Sequence, residues 1–218
     1  CNIKDNFVML NKNINRQNDI IKNDCDNSNL FKEENENTES VQSGGGSIDL
    51  DKNVLALIRK YLTIRPEEKK LYGEVFTPVE LVCEMLDTLP KNVWSNKNFK
   101  WLDPANGIGN YPVVVYYKLM EGLKKVIPSS SKRSKHIIEK MLYMVELNPV
   151  NVKVCKKIFK MINPSATPNI TKADFLEWSK NTDEKFDIIM GKPPYQGTGR
   201  KKIFVDFVDN ILKYNLLN

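Results

Sequence analysis

The chain has 218 residues, of which 41% are hydrophobic, enough to bury the core of one globular domain. A single histidine and four cysteines without paired spacing support neither a zinc site nor a disulfide framework. Residues 1–47 contain five Lys or Arg and eight Asp or Glu. The rest of the chain contains 28 Lys or Arg and 19 Asp or Glu, and its net charge is therefore +9. This excess suits an anionic partner such as nucleic acid, although many lysine-rich proteins bind nothing acidic.

The first 47 residues differ in composition from the rest. They contain eleven Asn and only scattered apolar residues, and they end in Ser43-Gly44-Gly45-Gly46-Ser47. This composition predicts a disordered tail followed by a flexible linker, with residues 1–43 available to dock on a protein partner. No apolar run approaches ~18 residues and the amino terminus is not signal-like, so we expect a soluble intracellular protein without a membrane segment.

Helical periodicity starts after Asp51, and residues 48–98 are predicted to form a helical segment ahead of the main domain. A first helix follows Asp51, which can cap it, a short second helix covers 66–71, and a third covers 81–89. The loop Phe76-Thr77-Pro78 leads into the third helix.

Strands and helices alternate through the remaining residues, 99–218, which form the predicted main domain. Four strands are predicted, at 99–102, 141–145, 169–173 and 186–190, the last of them from its apolar run. The polar stretch 129–135 is interpreted as a basic loop, and a last helix is predicted at 201–213. Such alternation predicts an α/β fold with a doubly wound parallel sheet.

A loop with two glycines joins the first of these strands to its helix. It reads Asp103-Pro104-Ala105-Asn106-Gly107-Ile108-Gly109-Asn110, and Glu146 ends the next strand. Glycines let backbone amides approach a ligand, and the amino end of a helix attracts negative charge. An acid at the end of the second strand is the usual partner of ribose hydroxyls. The combination predicts a nucleotide-type cofactor site, although turn glycines beside a solvated acid would look the same.

The fourth strand ends in Lys192-Pro193-Pro194-Tyr195, a rigid loop at the edge where open α/β sheets bind ligands. This loop resembles the Asn-Pro-Pro-Tyr motif of S-adenosylmethionine-dependent N6-adenine DNA methyltransferases, with lysine in place of asparagine. Three further segments resemble motifs of that family in the same order, namely Phe76-Thr77-Pro78, Asp103–Asn110 and Glu146-Leu147-Asn148-Pro149. Ala173-Asp174-Phe175 resembles the segment that holds the cofactor's adenine ring.

The resemblance covers about residues 72–210 and implies a fold, a cofactor and a partner. The fold is a Rossmann-like class I methyltransferase sheet, which we expect to be incomplete at its C-terminal side because one helix follows the Pro-Pro-Tyr loop. The implied cofactor is S-adenosylmethionine, and the implied partner is an adenine in DNA, in a restriction-modification setting. No metal is implied. The implied cofactor-binding residues are Phe76, Thr77, Pro78, Asp103, Ala105, Gly107, Gly109, Glu146, Asp174 and Phe175.

The implied catalytic residues are Lys192, Pro193, Pro194 and Tyr195. In such enzymes the tyrosine stacks on a flipped adenine, while the asparagine side chain and the first proline's carbonyl accept hydrogen bonds from the adenine amine. Lys192 has three donors and no acceptor. At ~4 Å and an effective dielectric near 20 its repulsion of the developing positive charge is about 4 kcal/mol. With ~1–3 kcal/mol for the lost hydrogen bond, the rate is expected to fall roughly 10⁴–10⁵-fold.

Two other functions stay open from the sequence. An inactive protein with a methyltransferase fold, kept as a structural or binding subunit of a larger assembly, is favoured by Lys192 and by the Asn-rich tail. Pro-Pro-Tyr loops also occur in enzymes that methylate RNA bases or protein glutamine. The position of Phe76-Thr77-Pro78 ahead of the glycine loop favours adenine in DNA over these substrates.

Overall fold

The computed structural model of the chain describes residues 7–11, 37–43, 46–62, 77–194 and 203–218. The strands in these residues are β1 (Phe7–Leu10), β2 (Thr38–Ser43), β3 (Gly46–Asp51), β4 (Trp101–Asp103), β5 (Leu142–Glu146), β6 (Asn169–Lys172) and β7 (Ile188–Gly191). The α-helices are α1 (Lys52–Leu62), α2 (Val79–Asp87), α3 (Asn110–Gly122), α4 (Ser130–His136), α5 (Pro149–Ile162), α6 (Phe175–Trp178) and α7 (Ile203–Lys213). A 3₁₀ turn at Lys91–Trp94 and a π-helical turn at Ile137–Met141 complete them.

Several predictions fall outside the described residues, namely the disorder of most of residues 1–43, the short helix at 66–71 and the placement of Phe76 and Tyr195. Among the helices that are described, none combines the length and the apolar character needed to span a membrane.

The main sheet has five strands in the order β1-β7-β4-β5-β6. β4 pairs in parallel with β7 and with β5, and β5 pairs in parallel with β6. Successive residues of β7 alternate between two core clusters, with Ile188 and Met190 in one and Ile189 in the other. A sheet buried on both faces is what helices on both sides of parallel strands produce. The predicted α/β class is confirmed.

The fifth strand comes from the segment that we expected to be disordered, so that expectation is wrong for residues 7–10. β1 lies antiparallel to β7, with Phe7 opposite Gly191. The backbone N–H of Asn11 extends the pairing to the carbonyl of Asp187 at 2.9 Å. A buried strand such as β7 needs partners for its backbone groups on both edges. β1 supplies them on the side of the sheet that we expected to be incomplete.

Residues 38–43 of the tail that we expected to be disordered form strand β2, and Gly46 and Ser47 of the expected flexible linker begin strand β3. β2 and β3 form an antiparallel hairpin in which Ser43 lies opposite Gly46. The Asp51 carboxylate then accepts hydrogen bonds from the backbone N–H groups of Asn53 (2.8 Å) and Val54 (3.1 Å), which confirms its predicted role as the cap of α1. The hairpin joins the main core because it buries Val41, Ile48 and Leu50.

The segment 129–135 forms most of helix α4, so the prediction of a basic loop is wrong. Ser129 caps the first turn with its side chain. Arg133 is buried, and its guanidinium donates to the carbonyls of Ile127 (2.7 Å) and Pro128 (3.0 Å). Arg133, which the sequence suggests is exposed to solvent, thus satisfies two carbonyls of the turn before the helix and stabilises its start.

Candidate functional site

Three of the predicted motifs meet at the carboxyl edge of the main sheet. Asp103 is the last residue of β4, Glu146 is the last residue of β5, and Lys192 follows β7 directly. Because β7, β4 and β5 are neighbours in the sheet, these residues lie side by side along one edge. Buried Asp103 lies between the other two motifs.

The glycine loop takes a backbone conformation that other residues rarely adopt. Gly107 has a φ of 57° and Gly109 a φ of 103°, both in the left-handed region. The Gly109 N–H donates to the carbonyl of Asn106 at 3.0 Å, and α3 begins at the next residue. A Cβ on Gly109 would lie 3.0 Å from the Sγ of Cys155, so the loop packs tightly on α5. Glycine is therefore required at this position by both conformation and space.

Glu146 connects the glycine loop to the next strand. Its Oε2 accepts the N–H of Gly107 at 2.6 Å, and its Oε1 accepts the N–H of Asn148 at 2.7 Å. The side chain is 8% exposed. Asn148 in turn accepts the N–H of Val150 and caps α5. Glu146, which the sequence analysis predicts to bind the cofactor, thus also holds the glycine loop and the turn before α5 in shape.

We expect Glu146→Gln to lower the free energy of unfolding by ~1–3 kcal/mol. Both carboxylate oxygens accept a hydrogen bond from a backbone N–H, whereas the amide NH₂ of glutamine is a donor and leaves one of these N–H groups without an acceptor. Urea unfolding followed by circular dichroism measures the change. The control is Glu177→Gln, which removes an exposed carboxylate paired with Lys180 at 2.6 Å and should change stability little. Equal losses in the two variants would contradict a structural role for Glu146.

Asp103 is the most deeply buried acid of the site, with 1% of its surface exposed. Its Oδ1 accepts the N–H of Ala105 at 3.1 Å. Its Oδ2 has no hydrogen-bond partner among the described residues. Burial raises the pKa of Asp103 to about 8; the Ala105 N–H acts in the opposite direction and the nearby Glu146 adds to the rise. The carboxyl group is therefore placed to receive a donor or a cation.

The end of β7 approaches Asp103 closely. A Cβ built on Gly191 would lie 2.7 Å from the Oδ1 of Asp103, a contact that only glycine avoids. The next two residues, Lys192 and Pro193, are half-buried and buried. The loop with the Pro-Pro-Tyr motif therefore starts in contact with the acid at the end of β4.

The upstream motif is tied to the same place through α3. The Asn110 side chain donates from Nδ2 to the carbonyl of Thr77 at 2.6 Å, and both residues are buried. Within the described part of the chain, Oδ1 of Asn110 has no hydrogen-bond partner. Tyr111 is also buried here, and its pKa is raised by burial and by the Asp103 carboxylate. Pro78 immediately precedes α2.

Asp174 and Phe175 are placed differently. Asp174 is exposed after β6 and caps α6, accepting the N–H of Leu176 at 2.9 Å. The Phe175 ring is 2% exposed and stacks on Phe207 with 4.8 Å between the ring centroids. The structure joins neither residue to Asp103 by a contact, and their predicted roles at the cofactor stay predictions.

Four residues of this edge were absent from the predicted site, namely Asn106, Asn110, Asn148 and Gly191. Asn106 and Asn110 stand inside the glycine loop, yet no local sequence signal indicates which of its polar atoms are buried. Asn148 had a detectable signal, because Asn before Pro at a helix start is a frequent cap. Gly191 ends an apolar run, and only the packed structure reveals the acid beside it.

A family model described as N-6 DNA methylase matches residues 56–211, well over half of the chain. The chain belongs to the N-6 DNA methylase family. An uncharacterized adenine-specific methylase of Mycoplasma pneumoniae is 46% identical over 77 residues, covering 34% of this chain and 18% of the relative. The type II methyltransferase M.VspI of a Vibrio species is 26% identical over 127 residues, covering 58% of this chain and 26% of the relative.

This member of the N-6 DNA methylase family thus matches only about a quarter or less of the length of each of these relatives. Among solved structures, the chain is similar to the type ISP restriction-modification enzyme LlaBIII bound to DNA. The TM-score is 0.43 at 21% identity, and the match covers 75% of this chain and 11% of that one.

Proposed function

We propose that the carboxyl edge of the sheet binds S-adenosylmethionine and an adenine of DNA, as in an N6-adenine methyltransferase, and that Lys192 severely impairs methyl transfer. Membership of the family supports the reaction class. The order of the motifs along the edge supports the assignment of the two halves of the site, with the cofactor at β4 and β5 and the adenine at β7.

The observation that carries the proposal is a pair of buried acceptor oxygens around the start of α3. Oδ2 of Asp103 and Oδ1 of Asn110 are both buried, and neither meets a donor in the residues that the structure describes. Buried polar atoms are almost always hydrogen-bonded, so unpaired acceptors indicate a missing donor. The ammonium group of the methionine part of S-adenosylmethionine is a donor of the required kind and charge.

The residues of the edge then have distinct roles. S-adenosylmethionine, when bound, would supply an electrophilic methyl group on a positively charged sulfur. Asp103 and Asn110 would hold the ammonium, and Thr77 would help to shape this pocket through its contact with Asn110. Glu146, at the end of β5, would accept the ribose hydroxyls, as an acid at the end of the second strand usually does.

The adenine half would be formed by the loop after β7. The carbonyl of Pro193 would accept a hydrogen bond from the adenine amine, and Tyr195 would stack on the base. Lys192 stands where a second acceptor is needed, and it brings a positive charge to a nitrogen that becomes positive during transfer. Lys192 also favours a second candidate function, a methyltransferase fold kept as a binding subunit of a larger assembly.

Calorimetric titration of the chain with S-adenosylmethionine tests the cofactor half, and we expect micromolar binding with 1:1 stoichiometry. Asp183→Asn, which alters an exposed acid ahead of β7, serves as the control and should leave the affinity unchanged. Absence of binding to a folded chain would contradict the proposal and would leave only the binding-subunit function.

A further inference from the structure

Helix α5 carries a row of lysines on its outer face. Lys153, Lys156 and Lys157 are exposed and stand at i, i+3 and i+4, a spacing that places them on one face. None of the three forms an ion pair with a carboxylate in the part of the chain that the structure describes. Lys160, a turn further on, differs because its ammonium donates to the carbonyl of Pro164 at 2.7 Å.

This lysine face does not contribute to packing of the helix. The opposite side of α5 packs against the sheet and α1 with buried residues such as Val154, Cys155 and Ile158. Like charges at i, i+3 and i+4 repel each other, so the arrangement is slightly unfavourable for the helix itself. Neither α5 nor the neighbouring α1 contains an Asp or Glu that would compensate. The positive charge is therefore left for a partner outside the two helices.

The face begins beside the candidate site. α5 starts at Pro149, three residues after Glu146, so Lys153 lies about 6 Å and Lys157 about 12 Å along the helix axis from that edge, at 1.5 Å per residue. The three charges thus span about 6 Å, close to the ~7 Å that two phosphate steps of one strand rise along the duplex axis. We propose that this lysine face contacts the phosphate backbone of duplex DNA next to the site.

DNA fits the face better than an acidic protein does. Between Lys153 and Lys160 every exposed residue is a lysine, and the exposed apolar residues of α5, Val150 and Met161, stand only at its two ends. Protein interfaces use an apolar core from which lysine is depleted, whereas binding to the DNA backbone needs positive charge alone. The proposal rests on the proposed function, because the same duplex would present its adenine to the carboxyl edge.

The salt dependence of duplex binding provides the test. The affinity of the whole chain for a fluorescent 30-base-pair duplex is measured by anisotropy from 50 to 300 mM salt. Each lost phosphate contact reduces the magnitude of the negative slope of log K against log salt by about 0.9. The triple variant Lys153→Gln, Lys156→Gln, Lys157→Gln should therefore reduce this magnitude by about 2.7. A matched triple variant replaces exposed Lys91, Lys97 and Lys125 by Gln, with the same change in net charge. We expect it to reduce the slope by less than 1.

Equal slopes in the two triple variants, or no duplex binding by the chain, would overturn the proposal. Binding to polyglutamate is measured in parallel; weakened polyglutamate binding with an unchanged duplex slope would assign the face to an acidic protein and also overturn it. S-adenosylmethionine titration of the same samples separates the two hypotheses. A slope reduced by 2.7 in a chain that does not bind S-adenosylmethionine would support the lysine face while contradicting the proposed function.

Discussion

Replacing Lys192 by asparagine is expected to raise the rate of methyl transfer to adenine roughly 10⁴–10⁵-fold. The variant removes a cation whose repulsion of the developing charge is about 4 kcal/mol at ~4 Å. It also supplies a side-chain acceptor for the amine, for a further ~1–3 kcal/mol. Incorporation of labelled methyl groups into unmethylated duplex DNA, with N6-methyladenine identified by mass spectrometry, measures the gain.

A second variant separates the two contributions. Lys192→Met keeps the length of the side chain and removes its charge, but it supplies only a weak acceptor. We expect it to gain up to roughly 10³-fold, the part that comes from charge. Asn should exceed Met by roughly tenfold or more, because only Asn completes the hydrogen bonds to the amine.

Either of two results would contradict the inference about Lys192. If neither variant gains activity while the chain binds S-adenosylmethionine, the defect lies elsewhere and the binding-subunit function is favoured. If the natural chain methylates DNA well and both variants lose activity, Lys192 is itself catalytic. In that case the rate should rise with pH as the lysine loses its proton, since only the neutral amine can accept a hydrogen bond.

The parallel strands of the sheet could be predicted because the sequence pattern of each strand is local. The four strands were predicted at 99–102, 141–145, 169–173 and 186–190, and each observed strand overlaps the predicted one, as with 186–190 and Ile188–Gly191. A parallel strand that is buried on both faces, such as β7, must be apolar throughout, so its composition marks it. β6 is half-buried to exposed, and the alternation of strands and helices indicates it instead. The polar residues that end β4 and β5 are equally visible, since Asp103 and Glu146 stand directly after apolar residues.

The features that were missed depend on contacts between distant parts of the chain. β1 has an apolar run of four residues, yet its place is set by pairing with β7 more than 170 residues later, which local composition does not encode. The contact of Asn110 with Thr77 across 33 residues is of the same kind. Likewise, Arg133 reads as a surface cation until the structure places two carbonyls beside its guanidinium.

The affinity of the chain for S-adenosylmethionine is expected to rise with pH between 6 and 7.5, by up to about tenfold per pH unit. In the ligand-free chain burial raises the pKa of Asp103 to about 8, so the carboxyl group is mostly protonated in this range. An ammonium beside Oδ2 favours the carboxylate and lowers that pKa, so binding releases a proton. Titrations in buffers with different ionisation enthalpies measure the proton release directly.

The same carboxyl group should destabilise the ligand-free fold as pH rises. An unfolded aspartate loses its proton near pH 3.8, whereas the buried Asp103 keeps it to about pH 8. Between these values the unfolded chain binds fewer protons than the native chain, so the free energy of unfolding falls as pH increases. The contribution of Asp103 is therefore most favourable below pH 3.8 and has been lost above pH 8.

Asp103→Asn should consequently change stability and binding in opposite directions. The amide keeps an acceptor for the Ala105 N–H and does not have to take up a proton on folding, so at pH 7.5 the ligand-free variant should be more stable by ~1–3 kcal/mol. Its affinity for S-adenosylmethionine should fall roughly 10–100-fold, and the dependence on pH should disappear, because a charge-assisted hydrogen bond is lost. Asp183→Asn should change neither quantity. Loss of both stability and affinity in Asp103→Asn would instead mean that Asp103 has a structural role. A residue whose role is to bind the ligand is expected to lower the stability of the ligand-free chain.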